Sequence, residues 1–256
     1  MISISIMAVA LTRAVSPDLN SCELEFLDRT PIDVLRAAEQ HRDYERLLES
    51  LGLRVISLSA EPALPDSVFV EDPAIVLDEI AVICRPGAAS RRSEAASLAH
   101  ALAPFRKLKY VQSPATIEGG DVMRIGKTLY AGLSRRTNEE GIRQLADLIQ
   151  PFGYNVVAVP VLGSLHLKSA ICSLGDALLL NPQWIDAHAF ESFERIEVAE
   201  PWSANVLRVG ETVIMPASFP ETRRRLETRG YKIATVDISE LQKAEAGVTC
   251  SSLIFS

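Results

Sequence analysis

Apolar residues in this chain gather into short runs, and the runs come in pairs separated by a glycine and a polar residue. Residues 122–125 and 128–130 flank Gly126-Lys127, residues 171–174 and 177–179 flank Gly175-Asp176, and residues 206–209 and 212–214 flank Gly210-Glu211. Two-residue turns of this kind need positive φ, which glycine adopts freely, so each pair predicts a β-hairpin. Residues 74–84 repeat the pattern more loosely, with Asp78-Glu79 at the turn. After each hairpin a helix and a further strand are expected. Thr137-Asn138-Glu139-Glu140 has capping-box spacing with Thr137 as the cap; Leu145, Leu148 and Ile149 give a helical apolar stripe, and residues 155–159 the returning strand. Ser90 is expected to cap a helix running to Ala103, and residues 220–228 predict another helix, stopped by Gly230.

The N-terminal stretch supplies the same unit with a break in it. Residues 3–12 read as a strand, 31–51 as a long helix ended by Gly52, and 54–58 as a strand, while the missing first strand is residues 251–255. The chain therefore predicts an α/β fold made of five strand–strand–helix–strand modules in one domain spanning residues 1–256, with both chain ends completing one module and closing a ring.

Composition narrows the function classes. A chain of 256 residues, 48% hydrophobic and 23% charged, can bury a substantial core like an ordinary soluble protein. The net charge of −7 argues against a nucleic-acid groove but suits a small cationic ligand. The basic clusters Arg91-Arg92 and Arg223-Arg224-Arg225 read as solvated helix faces. Cys22, Cys84, Cys172 and Cys250 form no C-x-x-C pair and are expected to be reduced, which places the protein in the cytosol. Residues 1–11 lack the basic flank and cleavage pattern of a signal peptide and read as a buried strand; no stretch approaches the ~18 apolar residues of a membrane span.

What singles the chain out is the set of short polar motifs at the heads of successive modules: Phe69-Val70-Glu71-Asp72, Ile117-Glu118-Gly119-Gly120-Asp121, Leu165-His166-Leu167-Lys168, Trp202-Ser203-Ala204-Asn205 and Gly247-Val248-Thr249-Cys250. In a closed ring they would converge. Cys250 can act as a nucleophile only as the thiolate, so it needs a cationic neighbour, either His166 or a positively charged substrate. The other three cysteines have no such companions and are expected to be structural, as are His41 and His100 in predicted helices. Glu118, flanked by a glycine pair that permits close backbone approach, is placed to orient His166. Asp66, Glu71 and Asp72, interleaved with apolar residues, call for a cation; a guanidinium fits them in bidentate fashion, and a divalent metal is the less favoured alternative.

In these motifs the chain resembles the dimethylarginine dimethylaminohydrolases of the guanidine-modifying, or pentein, superfamily. The matching runs are Leu64-Pro65-Asp66-Ser67-Val68-Phe69-Val70-Glu71-Asp72, Arg85-Pro86-Gly87-Ala88 with Ser90-Arg91-Arg92, Glu118-Gly119-Gly120-Asp121, Ser134-Arg135-Arg136-Thr137-Asn138, Leu165-His166-Leu167-Lys168-Ser169 and Gly247-Val248-Thr249-Cys250. The resemblance implies a five-bladed α/β propeller and hydrolysis of Nω-methylated arginines to citrulline through a covalent thiouronium on Cys250. It also implies His166 as general acid and then base, Glu118 as its support, and Glu71 and Asp72 on the guanidinium nitrogens. Arg91 and Arg136 would take the substrate carboxylate and Asp66 its α-amino group, with Leu24 and Ala244 lining the pocket. No metal or organic cofactor is implied, nor any partner beyond the small-molecule substrate in a monomer or homodimer. Arginine deiminases resemble the chain at residues 118–121 but carry Arg at the place of Glu71 and Asp at that of Lys168, which points to the dimethylarginine branch. A hydrolase of another arginine derivative, or a non-catalytic binding protein of the same fold, are the alternatives; an intact Cys250, His166, Glu118 and Asp72 set speaks against the latter.

Overall fold

The paired apolar runs fold into five small sheets of three strands each. The computed structural model describes residues 8–256. In chain order the main elements are β1 (Val9–Arg13), α1 (Val34–Ser50), β2 (Arg54–Leu58), β3 (Ala74–Val76), β4 (Ile80–Ile83), α2 (Glu94–Leu102) and β5 (Lys107–Tyr110). They continue with β6 (Val122–Ile125), β7 (Thr128–Leu133), α3 (Glu139–Ile149), β8 (Asn155–Pro160), α4 (Leu167–Ala170), β9 (Ile171–Ser173), β10 (Ala177–Leu180) and β11 (Glu194–Glu197). The last are β12 (Leu207–Val209), β13 (Thr212–Pro216), α5 (Pro220–Glu227), β14 (Lys232–Val236), α6 (Ser239–Gln242) and β15 (Leu253–Phe255).

Every sheet has the same grammar: a central strand pairs antiparallel with the strand before it and parallel with the one after it. Antiparallel neighbours need only a tight turn, and Gly126, Gly175 and Gly210 supply it with φ of 60°, 104° and 58°. Parallel neighbours need a crossover, which α1, α2, α3 and α5 provide in four of the units. In the fourth unit of the chain only a short 3₁₀ turn, Ala187–Phe190, fills that place, so the expected helix is absent there. The N-terminal unit is completed from the other end of the chain, as expected: β15 pairs antiparallel with β1, Val9 opposite Phe255. First strands of successive units touch one another, β15 with β3, β6 with β9 and β9 with β12.

Several boundaries differ from the sequence-based expectation for local reasons. The N-terminal strand begins at Val9, and residues 1–7 of that expectation lie outside the described residues. Asn138, not Thr137, caps α3, its side chain accepting from the Gly141 amide at 2.8 Å, because the Thr137 hydroxyl is bonded to Asp121 instead. Residues 89–93 form a 3₁₀ turn before α2, so Ser90 does not cap that helix. Leu167 to Ala170 makes a helical turn, α4, and the strand after His166 starts only at Ile171. His41, expected to be satisfied or at the surface, is buried against Glu45 at 3.4 Å with no hydrogen bond of its own. Among the described residues no helix is long and apolar enough to cross a membrane.

Candidate active site

The polar heads of four units meet because their backbones interlock. The Gly119 amide donates to the Asp72 carbonyl at 2.9 Å, and the Glu71 amide to the Cys250 carbonyl at 3.2 Å. The Gly119-Gly120 pair is required by contact rather than by φ. A Cβ on Gly119 would stand 2.0 Å from the Glu71 carbonyl oxygen; one on Gly120 would stand 2.6 Å from Asp72 Oδ1 and 2.7 Å from His166 Nδ1. Asn205, the head of the fifth unit, grips the nucleophile loop: its Oδ1 accepts from the Thr249 amide at 3.0 Å and its Nδ2 donates to Thr249 Oγ1 at 2.9 Å.

Asp66, Asp72, Arg91, Arg136, His166, Ala244 and Cys250 all line one small cavity of about 20 Å³, beneath Glu23 and Glu245. Glu118 stands one layer behind, fully buried, with Oε2 2.6 Å from His166 Nε2 and Oε1 accepting the Gly87 amide at 3.0 Å. Glu71 also stands back: Lys168 Nζ reaches its Oε1 at 2.5 Å and Thr249 Oγ1 donates to its Oε2 at 2.8 Å. Leu24 does not line the cavity; it packs against the apolar cluster that includes Val15, Leu19 and Cys22, while Glu23 beside it faces the site.

The electrostatics follow from burial and pairing. Burial works against charge on His166, but Asp72 at 3.8 Å, the Glu118 hydrogen bond and Asp121 outweigh it and hold the imidazolium to about 9. Burial would raise Asp72 too, yet His166 and Arg91, the latter donating to Asp72 Oδ2 at 2.7 Å, bring it down to about 2. The Cys250 thiol goes the other way: burial first, then the Glu71 and Asp72 carboxylates, push it far above the usual thiol range. Among the described residues its one hydrogen-bond partner is the Gly247 amide, which donates to Sγ at 3.3 Å. The resting pair is thus a neutral thiol and an imidazolium.

Asp72, Glu118 and His166 each bring a donor atom within 4.8 Å of the others, the spacing of a metal site among the described residues. Their charges are matched within the protein, since Arg91 donates to Asp72 and the His166 imidazolium faces Glu118 Oε2 through Nε2. A dication would have to displace both, so this donor set fits the internal cations better than a metal.

Against this geometry the comparisons with known proteins are specific. The family model described as N,N dimethylarginine dimethylhydrolase, eukaryotic, matches residues 27–181. N(G),N(G)-dimethylarginine dimethylaminohydrolase of Pseudomonas aeruginosa is 38% identical over 228 residues, covering 87% of this chain and 90% of that protein. The chain belongs to the dimethylarginine dimethylaminohydrolase family. The Streptomyces coelicolor dimethylarginine dimethylaminohydrolase is likewise 38% identical, over 248 residues and 95% of each chain. A crystal structure of a dimethylarginine dimethylaminohydrolase histidine-to-glycine variant, as its adduct with S-methyl-L-thiocitrulline, superposes with a TM-score of 0.92 at 35% identity, covering 96% of this chain and 98% of that one.

For a dimethylarginine dimethylaminohydrolase chain, sequence reasoning missed a supporting layer. Glu94 clamps Arg91 with two contacts, at 3.1 and 2.9 Å, and burial lifts its carboxyl to about 7 despite that arginine. Asp121 ties the His166 segment down through the Leu167 amide at 2.9 Å and holds Ser134 and Thr137 as well. Burial raises its carboxyl to about 6, with His166 and the two hydroxyls opposing. Glu245 accepts three successive amides, of Glu25, Phe26 and Leu27, on one oxygen at 3.0, 2.6 and 2.7 Å. Asp121 and Asn205 stood within the strand-head motifs and could have been found there; Glu94, Glu25 and Glu245 carried no spacing signal.

Proposed function

We propose that this chain hydrolyses Nω,Nω-dimethyl-L-arginine and Nω-methyl-L-arginine to L-citrulline and the methylated amine. The observation that carries this reading is the lining of one cavity by a thiol, an imidazolium, carboxylates and two arginines, with more acid than base around the thiol. A guanidinium beside Asp72, with Glu71 behind it, supplies the missing positive charge. It thereby offsets the two carboxylates that keep the Cys250 proton on, so substrate binding itself favours the thiolate. The thiol proton leaves to solvent and is regained when the thiolate is expelled at the end of the cycle. Thiolate attack on the guanidinium carbon forms a C–S bond, and His166, already protonated, gives its proton to the departing amine as the C–N bond breaks. The resulting thiouronium carries the positive charge, and the now neutral His166 takes a proton from water attacking the same carbon. Collapse expels the Cys250 thiolate and leaves citrulline. Glu118 keeps the imidazole ring in register throughout, Asp66 takes the α-amino group, Arg91 and Arg136 the carboxylate, and Ala244 the wall of the pocket. Arg136 Nη1, 3.5 Å from Glu118 Oε1, is buried without a hydrogen-bond partner, which supports an anion-binding role.

We also infer that the five units close into a single five-bladed α/β propeller with the site at its axis. The pairing of β15 with β1 and the contacts between successive first strands support closure. The activity is tested by citrulline release from asymmetric dimethylarginine, monomethylarginine, arginine and agmatine in parallel. Turnover of the methylated arginines is expected, and Cys250→Ser should abolish it while the circular dichroism of the fold is unchanged. Turnover of arginine alone would move the chain to the deiminases.

A further inference from the structure

The amino-acid-binding end of the site is engaged by the chain itself. The Glu23 amide donates to both oxygens of Asp66, at 3.3 and 3.1 Å, and the Glu25 carboxylate bonds Arg136 Nε. In the proposed function those two groups receive the substrate's α-ammonium and α-carboxylate. The segment from Glu23 to Leu27 thus presents an N–H to the ammonium site and a carboxylate to the carboxylate site. The cavity that Glu23 borders has about 20 Å³ of free space, enough for about one water and not for an amino acid.

The substitute is imperfect. Glu25 meets Arg136 through Nε only, leaving Arg136 Nη1 and Glu25 Oε2 both buried without hydrogen-bond partners. A substrate carboxylate reaching both faces of the guanidinium would satisfy it more fully, because a planar fork is built for two-point contact. The segment is held down separately, by Glu245 on its amides and by Ser90 on the Glu23 carboxylate. Among the described residues the Glu25 side chain has one hydrogen-bond partner, Arg136, and the contacts that hold the segment do not depend on it.

We infer that Glu25 is a specificity-determining residue: its carboxylate competes with the substrate's α-carboxylate for Arg136, and so weakens binding of guanidines with an α-amino-acid end relative to guanidines without one. This rests on the carboxylate-binding role proposed for Arg136. A ligand carrying the carboxylate must displace Glu25 and pays for that in apparent affinity, whereas a ligand lacking it leaves the Glu25–Arg136 pair in place. Taking the charge off position 25 removes the competitor from the first ligand and, for the second, leaves Arg136 with Glu118, 3.5 Å from its Nη1, as its remaining counter-ion.

The test uses the intact chain with Cys250→Ser, so that binding is read without turnover, and titrates asymmetric dimethyl-L-arginine and agmatine by calorimetry. Glu25→Gln keeps the backbone amide that Glu245 holds and the side-chain shape. The double variant should bind dimethylarginine about tenfold more tightly and agmatine equally or more weakly, the size expected for loss of one partly buried competing ion pair. An unchanged or weaker affinity for dimethylarginine overturns the inference. Equal tightening of both ligands also overturns it, by assigning Glu25 to closure of the segment rather than to the carboxylate site. With the catalytic cysteine restored, Glu25→Gln should lower KM for dimethylarginine and leave kcat unchanged. If no substrate is turned over but the calorimetric contrast holds, the catalytic reading fails and the competition at Arg136 stands.

Discussion

Replacing Glu118 by Gln removes one negative charge while keeping the size of the side chain that holds His166. The difference between 6.5 and about 9 for His166 corresponds to roughly 3 kcal/mol of preference for the imidazolium. Asp72 and Asp121 supply part of it and remain in the variant, so in Glu118→Gln His166 should titrate clearly below its value in the unaltered protein. The sign carries over to stability. A histidine whose folded value is raised stabilises the fold fully below 6.5, and that contribution is lost as pH rises through about 9. In the variant it should be smaller and lost at lower pH. The assay is histidine NMR, with the His166 signal assigned by its absence in His166→Gly, together with denaturant unfolding on both sides of that window. Turnover should fall roughly 100-fold, because the acid is both misoriented and less often protonated. An imidazole that still titrates near 9 in Glu118→Gln, or near 6.5 in the unaltered protein, refutes the electrostatic argument.

Gly120→Ala would force a methyl against Asp72 and His166, and should cost at least about 2 kcal/mol of stability and most of the turnover, read by thermal melting and citrulline release. Gly126→Ala, at a turn where nothing lies near the new methyl, should keep full activity and lose only about 1 kcal/mol to its positive φ; equal losses of turnover in the two would remove the contact argument. Arg136→Ala should raise KM for dimethylarginine by a far larger factor than it weakens agmatine, and equal losses in the two would contradict carboxylate recognition.

The repeat was legible because hairpin turns and parallel crossovers are local events, encoded by Gly126, Gly175 and Gly210 and by the apolar stripe of α3. In the fourth unit the hairpin at Gly175 was legible and only the helix expected after it is missing: no helical stripe marks that crossover, and the chain turns once at Ala187–Phe190 and returns. The capping of α3 was misassigned for a different reason. Thr137 and Asn138 are both good caps, and the choice fell to Asn138 only because Asp121, sixteen residues earlier, takes the threonine hydroxyl. The thiol, imidazole and carboxylates were legible as types at equivalent positions in the repeat. Their partners were not, since the Glu94–Arg91 and Glu245–amide contacts depend on where loops come to rest.

The same limit explains the charge state of the site. From sequence, Cys250 called for a cation and His166 stood as a candidate to supply it. In the fold both line the same cavity, yet His166 is tied to Glu118 and Asp72, and Asp72 with Glu71 keeps the proton on the thiol. An imidazolium neutralised by two carboxylates can do little for a third group. The resident cations Arg91 and Lys168 are likewise matched, to Asp72 with Glu94 and to Glu71. On the function proposed above, what the thiol lacks is a mobile positive charge, which a guanidinium over Asp72 would bring only when substrate is present. A nucleophile kept protonated until its own electrophile binds is protected from oxidation and from stray electrophiles, because only the thiolate reacts. The high resting thiol and the raised imidazolium are on this account linked through one residue: Asp72, which with Glu71 keeps the proton on Cys250, also helps Glu118 and Asp121 keep His166 charged for the leaving amine.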